Sequence, residues 1–374
     1  MTGREVTLGD LINVKHGYAF SGQDITPEVT PLILVTPGNF YIGGGFKSDK
    51  FKYFNGEYPK EYVLKQNDIV VTMTDLSKEG DTLGYSAKIP KSNGKIYLHN
   101  QRIGLVEIIS DEIDKDYLYW LLRTNEYQGF ILGAATGTSV RHTSPTTIKQ
   151  YIFSLPSLLE QKSIASILTS LDDKIDLLHR QNKTLESMAE SLFRQYFMEN
   201  ICKNEKITLL GEIVRVTNGK ARPEENEDGL IPVYGGNGIL GSTYKSNANG
   251  FSIIIGRVGA YCGSLFIENR PIWVSDNAML ATPTNPDTYS YVFYLLKSLN
   301  LNEYAEGSSH PLLTQTLLNS IQITAPSGDK IHSFCQQADV WIKKTNHNYS
   351  QISTIEKLRD TLLPKLLAGE IRVT

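Results

Sequence analysis

Two long stretches of the chain place apolar residues at alternating spacings of three and four. The first covers residues 161–197 and reads Ile164, Leu168, Leu171, Ile175, Leu178, Asn182, Leu185, Ala189, Leu192, Tyr196. A 3.5-residue repeat with one polar interruption and no internal Gly or Pro predicts a long helix with a coiled-coil seam. The second stretch lies 170 positions on. It reads Phe334, Ala338, Trp341, Thr345, Asn348, Ile352, Ile355, Arg359, Leu362, Leu366, a more polar seam that is in phase at both ends. Between and before these helices the pattern changes to short apolar runs separated by turn residues. Residues 69–73 and 103–109 read as strands, with turns at Gly43-Gly44-Gly45 and Gly80-Asp81 and one helix over 116–125. Residues 201–325 repeat the style, with strands over 251–256 and 265–268 and a helix over 289–298.

The chain therefore reads as one unit used twice. At the helix offset of 170, Leu155-Pro156 matches Ala325-Pro326 and Gly137-Thr138 matches Gly307-Ser308. Tyr119-Trp120-Leu121-Leu122 matches Phe293-Tyr294-Leu295-Leu296 at 174, and Leu8-Gly9-Asp10 matches Leu210-Gly211-Glu212 at 202. The offset shrinks because the second unit is shorter in its middle. The expected class is α+β: two tandem mixed domains, each followed by a long helix, with a pseudo-twofold internal repeat. The expected segments are domain one at 1–155, a central helix at 156–200, domain two at 201–325 and a C-terminal helix at 326–374.

If the two helices lie antiparallel and overlap flush, Ile164 falls against Leu366 and Asn182 against Asn348. The residues expected to pack the pair are Leu171, Ile175, Leu178, Asn182, Leu185, Trp341, Asn348, Ile352 and Ile355. A buried polar pair in such a seam fixes register at some cost in stability.

Composition narrows the function. A chain of 374 residues with 40% apolar and 21% charged residues has core enough for two or three soluble domains. The start of the chain has no apolar segment of signal-peptide type, and no apolar run is long enough to span a bilayer. Three scattered cysteines, Cys202, Cys262 and Cys335, suit neither a disulfide framework nor a metal site, which points to a reducing cytoplasm. No phosphate loop, dinucleotide fingerprint, His-Glu-x-x-His motif or amino-methyltransferase tetrapeptide is present, so nothing nominates a catalytic centre.

The loops hold side chains suited to base edges and phosphates: Arg and Lys for guanine, Asn and Gln for adenine, hydroxyls for the backbone. In the first unit these are Lys15, His16, Tyr18, Thr74, Lys78, Asn100, Gln101, Arg102, Arg141 and His142. In the second they are Lys220, Arg222, Asn237, Arg257, Tyr261, Asn277, Ser308 and Ser309. Net charge argues the other way. The chain carries a formal −3, with 16 Lys and Arg against 17 Asp and Glu over 1–150 and 9 against 11 over 201–325. Any cationic surface must be local or supplied by a partner.

Several motifs carry a family resemblance. Leu155-Pro-Ser-Leu-Leu-Glu-Gln-Lys162 and Ser191-Leu-Phe-Arg-Gln-Tyr-Phe197 resemble the central region of type I restriction enzyme specificity subunits. The ending Leu362-Leu-Pro-Lys-Leu-Leu-Ala-Gly-Glu-Ile-Arg-Val373 resembles that family's C-terminus. Ile231-Pro-Val-Tyr-Gly-Gly-Asn-Gly238 with Ile255-Gly-Arg-Val-Gly-Ala-Tyr-Cys-Gly263 is similar to a variant of its target recognition domain. The resemblance implies two target recognition domains held apart by the two long helices lying antiparallel, in a subunit without catalysis of its own, each domain reading half of an asymmetric bipartite site in double-stranded DNA. It implies two methyltransferase subunits and a translocase-nuclease subunit as partners. S-adenosylmethionine, Mg2+ and ATP would sit on those partners and none on this chain, with no membrane involved. The polar seam at Thr345 and Asn348 departs from a tight helical clasp. The rival readings are a coiled-coil scaffold that binds only protein, and the recognition part of a fused restriction–methylation enzyme.

Overall fold

The computed structural model describes residues 4–373 except 76, 78, 138, 139, 200–205, 225, 227, 228, 308 and 309. The chain divides into two compact units, Met1–Lys174 with Ile355–Thr374, and Ile175–Thr354. The division falls inside both long helices rather than at their ends, because each half-helix packs on its own domain.

In the first unit, strands Ile12–His16, Ile103–Ile108, Ile69–Thr72 and Ser86–Lys88 form an antiparallel sheet in that order. Val14 pairs with Val106, and Val106 with Ile69. A second sheet has the order Ile25–Thr26, Lys52–Phe54, Leu32–Val35, Ile96–His99, Val63–Leu64, with one parallel pair between Leu32–Val35 and Ile96–His99. Arg4–Thr7 and Ile152–Leu155 close the domain as a two-stranded ribbon.

The single helix expected over 116–125 is instead two, Lys115–Leu121 and Asn125–Gly133. The reason is capping. Asp114 accepts from the amides of Asp116 and Tyr117 to start the first, and the Thr124 hydroxyl accepts from Tyr127 N to start the second. Trp120 is fully buried and donates from Nε1 to Thr169 Oγ1 on the long helix at 3.0 Å.

The second unit repeats this plan. Strands Val214–Asn218, Ala278–Pro283, Ser252–Gly256 and Leu265–Glu268 form the matching antiparallel sheet, and Lys206–Leu209 pairs with Gln322–Ala325 as the ribbon. Leu8 N donates to Tyr151 O, and Leu210 N to Ile321 O, each at 2.8 Å. The second sheet differs. It has three strands, Gly238–Thr243, Ile231–Gly235 and Trp273–Val274, instead of five. The shortening inferred from the repeat offsets thus falls largely on this sheet.

A helix runs over Leu158–Arg194, with a π-type turn at Gln195–Glu199, and a second over Gly328–Leu367 with Pro364 in its last turn. Within the first unit they run antiparallel: Ile164 and Leu168 share a core with Leu363 and Leu366. Asp172 accepts from Arg359 at 2.6 Å and from Arg123 at 2.9 Å. Within the second unit they again run antiparallel. Asn348 Nδ2 donates to Asn182 Oδ1 at 2.7 Å, and Asn182 Nδ2 to Thr345 O at 3.4 Å.

Of the residues expected to pack the pair, Ile175, Leu178, Asn182, Asn348 and Ile352 are buried. Leu171, Leu185, Trp341 and Ile355 are half-buried. Ile342, not Trp341, takes the deep position near the middle of the second helix. The displacement is local, since the expected seam positions Thr345, Asn348 and Ile352 beyond it are all buried.

Candidate nucleic-acid interface

Four segments meet at one edge of each recognition domain, held by backbone hydrogen bonds. In the first unit Tyr18 N donates to His99 O (2.8 Å) and Gln101 N to Tyr18 O (2.9 Å). Met73 N donates to Arg102 O (2.9 Å), Thr143 N to Met73 O (3.0 Å) and Ile103 N to Asn100 O (2.9 Å). In the second unit Lys220 N donates to Val274 O, Arg257 N to Asn277 O, Leu313 N to Arg257 O and Ala278 N to Ser275 O, each at 3.0 Å. These four match all of the first unit's bonds except that from Gln101 N to Tyr18 O. Tyr18 corresponds to Lys220, Met73 to Arg257, Arg102 to Asn277 and Thr143 to Leu313. The pairing of His142 with Thr74 has its counterpart in that of Leu312 with Val258.

Glycine makes the close approach possible. A Cβ on Gly17 would lie 2.1 Å from Asn100 O, and one on Gly219 would lie 2.0 Å from Ser275 O. Any other residue would force the two segments apart.

The rim gathers most of the candidates. Tyr18, Gln101, Arg102, Lys220 and Asn277 are exposed on it, and Arg257 is half-buried. Exposed His16 and half-buried Lys15 lie at the end of the adjoining strand. Lys15 Nζ donates to Glu61 O at 3.2 Å and lies 4.8 Å from the Tyr62 ring centre. Thr74 is buried and its hydroxyl meets His142 Nδ1 at 3.2 Å, so it steadies the exposed imidazole instead of facing outward. Arg141 is the half-buried neighbour of His142 on the same short strand.

Tyr261 is exposed, and its carbonyl lies against Gly256. Asn237 is exposed at the turn between strands Ile231–Gly235 and Gly238–Thr243. Arg222 donates to Leu240 O at 3.0 Å and so belongs to that hairpin. Lys78, Ser308 and Ser309 lie outside the described residues.

Sequence reasoning missed the polar groups beneath the rim. His99 Nδ1 and Thr143 Oγ1 in the first unit are buried without a hydrogen-bond partner among the described residues. The same holds for Arg257 Nε, Trp273 Nε1 and Ser275 Oγ in the second. Burial pushes the His99 imidazole down to about 4, against the opposing hydrogen bond to Ile103 O. Nearby, burial raises the Asp75 carboxyl, but hydrogen bonds from Ser77 and Thr82 outweigh it and leave the group below its ordinary value. Asp75 thereby pins the loop after strand Ile69–Thr72. The only signal for the rim was the matched Gly17 and Gly219, at the same offset as Leu8 and Leu210.

The model of the type I restriction modification DNA specificity domain matches residues 3–187 and again 203–359. The chain belongs to this family. The two matches coincide with the two copies of the repeat. Among curated relatives, the type I restriction enzyme MjaIX specificity subunit of Methanocaldococcus jannaschii is 26% identical over 308 residues, 71% of each chain. The MjaVIII specificity subunit of the same organism is 23% identical over 89% of this chain and 85% of its own. The crystal structure of a type I restriction-modification S subunit from M. genitalium has the same fold, with TM-score 0.64 at 20% identity over 100% of this chain and 97% of that one. Among the described residues no helix is long and apolar enough to cross a membrane. Nor does any group of three or more His, Cys, Asp or Glu among them form a cluster that could hold a metal ion.

Proposed function

We propose that this chain is the DNA-reading, non-catalytic subunit of a type I restriction–modification complex. Each recognition unit reads one half of an asymmetric bipartite site through its rim. The paired helices set the unread spacer, and the 37-residue first helix, about 55 Å long at about 1.5 Å per residue, exceeds the roughly 34–36 Å between half-sites one DNA turn apart. Two modification subunits carry S-adenosylmethionine and methylate adenines, and a translocase-nuclease subunit using ATP and Mg2+ joins for cleavage.

One observation carries this reading: the same backbone frame occurs twice with different side chains on it. Such a design suits two half-sites of different sequence. The near-neutral charge assigns discrimination to this chain and much of the grip on phosphates to its partners.

The test is expression with the modification subunit, followed by mapping of methylated adenines. Replacing residues 1–155 by another recognition domain is expected to change one half-site and leave the other, with the spacer unchanged. Methylation without sequence preference, or loss of both half-sites together, would overturn the reading and favour a protein-binding scaffold.

A further inference from the structure

We infer that the two positions joined by the Met73–Arg102 bond in one unit and the Arg257–Asn277 bond in the other are the specificity-determining pair of each recognition unit. Between the units the arginine has moved from one position to its neighbour. This rests on the DNA-reading function proposed above.

The argument starts from the frame. Met73 N to Arg102 O spans 2.9 Å and Arg257 N to Asn277 O spans 3.0 Å, so the positions sit side by side in both units. Their side chains take no part in those bonds. In the first unit Met73 is buried and offers no polar group outward, so Arg102 alone presents donors. In the second, the strand-end position carries Arg257, and exposed Asn277 stands where Arg102 stood.

Arg is suited to a paired contact with a guanine edge and Asn to one with an adenine edge. The pair therefore presents one guanidinium in the first unit, and a displaced guanidinium beside an amide in the second.

Burial supplies an independent reason. A half-buried arginine ordinarily satisfies its donors. Arg257 Nε lies buried without a partner among the described residues, and the guanidinium's bond to Asp276 O is 3.5 Å long. The hydroxyl of fully buried Ser275, two residues from Asn277, is also unpartnered among them. Unpaired buried donors are unfavourable in the free protein and mark places where a ligand completes the set.

The experiment uses the full chain with its modification subunits and a plasmid library randomised over both half-sites, read by mapping methylated adenines. Arg102→Gln is expected to relax discrimination at one base pair of the first half-site, about fivefold to a hundredfold, with the second intact. Arg257→Gln is expected to do the same to the second only. Arg257→Lys keeps the charge but loses the planar fork, and is expected to relax the same base pair. Even weakening over all sequences, or full discrimination retained by Arg257→Gln, would mark phosphate contacts and overturn the assignment. The untouched half-site reports folding in each variant. If Arg257→Gln abolishes methylation altogether, exposed Asn277→Ala decides: a change confined to one second-half base pair supports the pair, and no change overturns it. If replacing residues 1–155 changes a half-site while these variants do not, the pair assignment fails and the function stands.

Discussion

The buried amide pair Asn182–Asn348 offers the sharpest test of how the helices hold their register. Asn348 is fully buried and Asn182 nearly so, and one bond of 2.7 Å joins them. Asn182→Leu removes the acceptor. Asn348 Nδ2 then keeps only Gln181 Oε1 at 3.5 Å, and its Oδ1 already has no partner among the described residues. Leaving a buried amide unpaired costs about 1–3 kcal/mol. Replacing both partners removes the unpaired groups as well as the bond, and buries two apolar side chains. Asn182→Leu/Asn348→Leu is therefore expected to equal or exceed the parent chain in stability, a coupling equal to the two single losses together, about 2–6 kcal/mol. The assay is urea unfolding followed by helical circular dichroism, as a double-mutant cycle. Specificity of register is the second readout: the double variant is expected to methylate sites with more than one spacer length, because the polar layer that penalises a slipped seam is gone. Additive losses in the cycle would refute the reasoning about the pair. A single sharp spacer in a stabilised double variant would refute its role in register.

Asp172 holds two arginines, Arg123 with a side chain only 5% exposed and Arg359 with one 17% exposed. Asp172→Asn strands a buried cation and is expected to cost about 3 kcal/mol in urea unfolding. It should also loosen the loop at Gly43, whose carbonyl accepts from Arg123 Nε at 2.9 Å, detectable as faster amide exchange. His99 is held neutral when folded, at about 4, whereas the unfolded imidazole takes up its proton near 6.5. Its stabilising contribution is thus complete above pH 6.5 and is lost as pH falls towards 4, roughly 3 kcal/mol in all. His99→Leu is expected to flatten the melting temperature between pH 7 and pH 5, and an unchanged slope would place the titration elsewhere. Inserting four residues, about one turn, into both long helices is expected to change the preferred spacer and neither half-site; altered half-sites with the old spacer would sink the ruler.

Much of the architecture was legible because it rests on periodicity. Helix seams, the strand over 265–268 and the helix over 289–298 each declare themselves in a few residues, and the offsets revealed the duplication. What was not legible depended on local capping or on distant contacts. Asp114 and Thr124 split a helix that apolar spacing alone runs together. The equivalence of Met73 with Arg257 is invisible in sequence, since the two residues share no chemistry and match at an offset of 184, between the flanking landmarks. Only the bonds to Arg102 O and Asn277 O align them. The candidate loop residues were chosen by type, which cannot distinguish Thr74, turned inward onto His142, from Arg102, turned out.

The kind of bond holding each part decides what can vary there. The rim frame is built chiefly from backbone amides and carbonyls, with glycine at the tightest approach, and the Arg102 and Asn277 side chains take no part in the bonds that join its segments. An exposed side chain such as Arg102 or Asn277 can be exchanged for another at a cost within about 0.5 kcal/mol, leaving the frame to present a different residue. The helix pair is the opposite case. Its shortest polar contacts run from side chain to side chain, Asn348 to Asn182 and Arg359 to Asp172, so neither partner can change alone without stranding the other. The same distinction separates the expected phenotypes: altered sequence preference with normal stability from the rim, altered stability or spacer with the same half-sites from the helices. A rim substitution that destabilised the chain by as much as a helix-layer substitution would show that the frame depends on side chains after all.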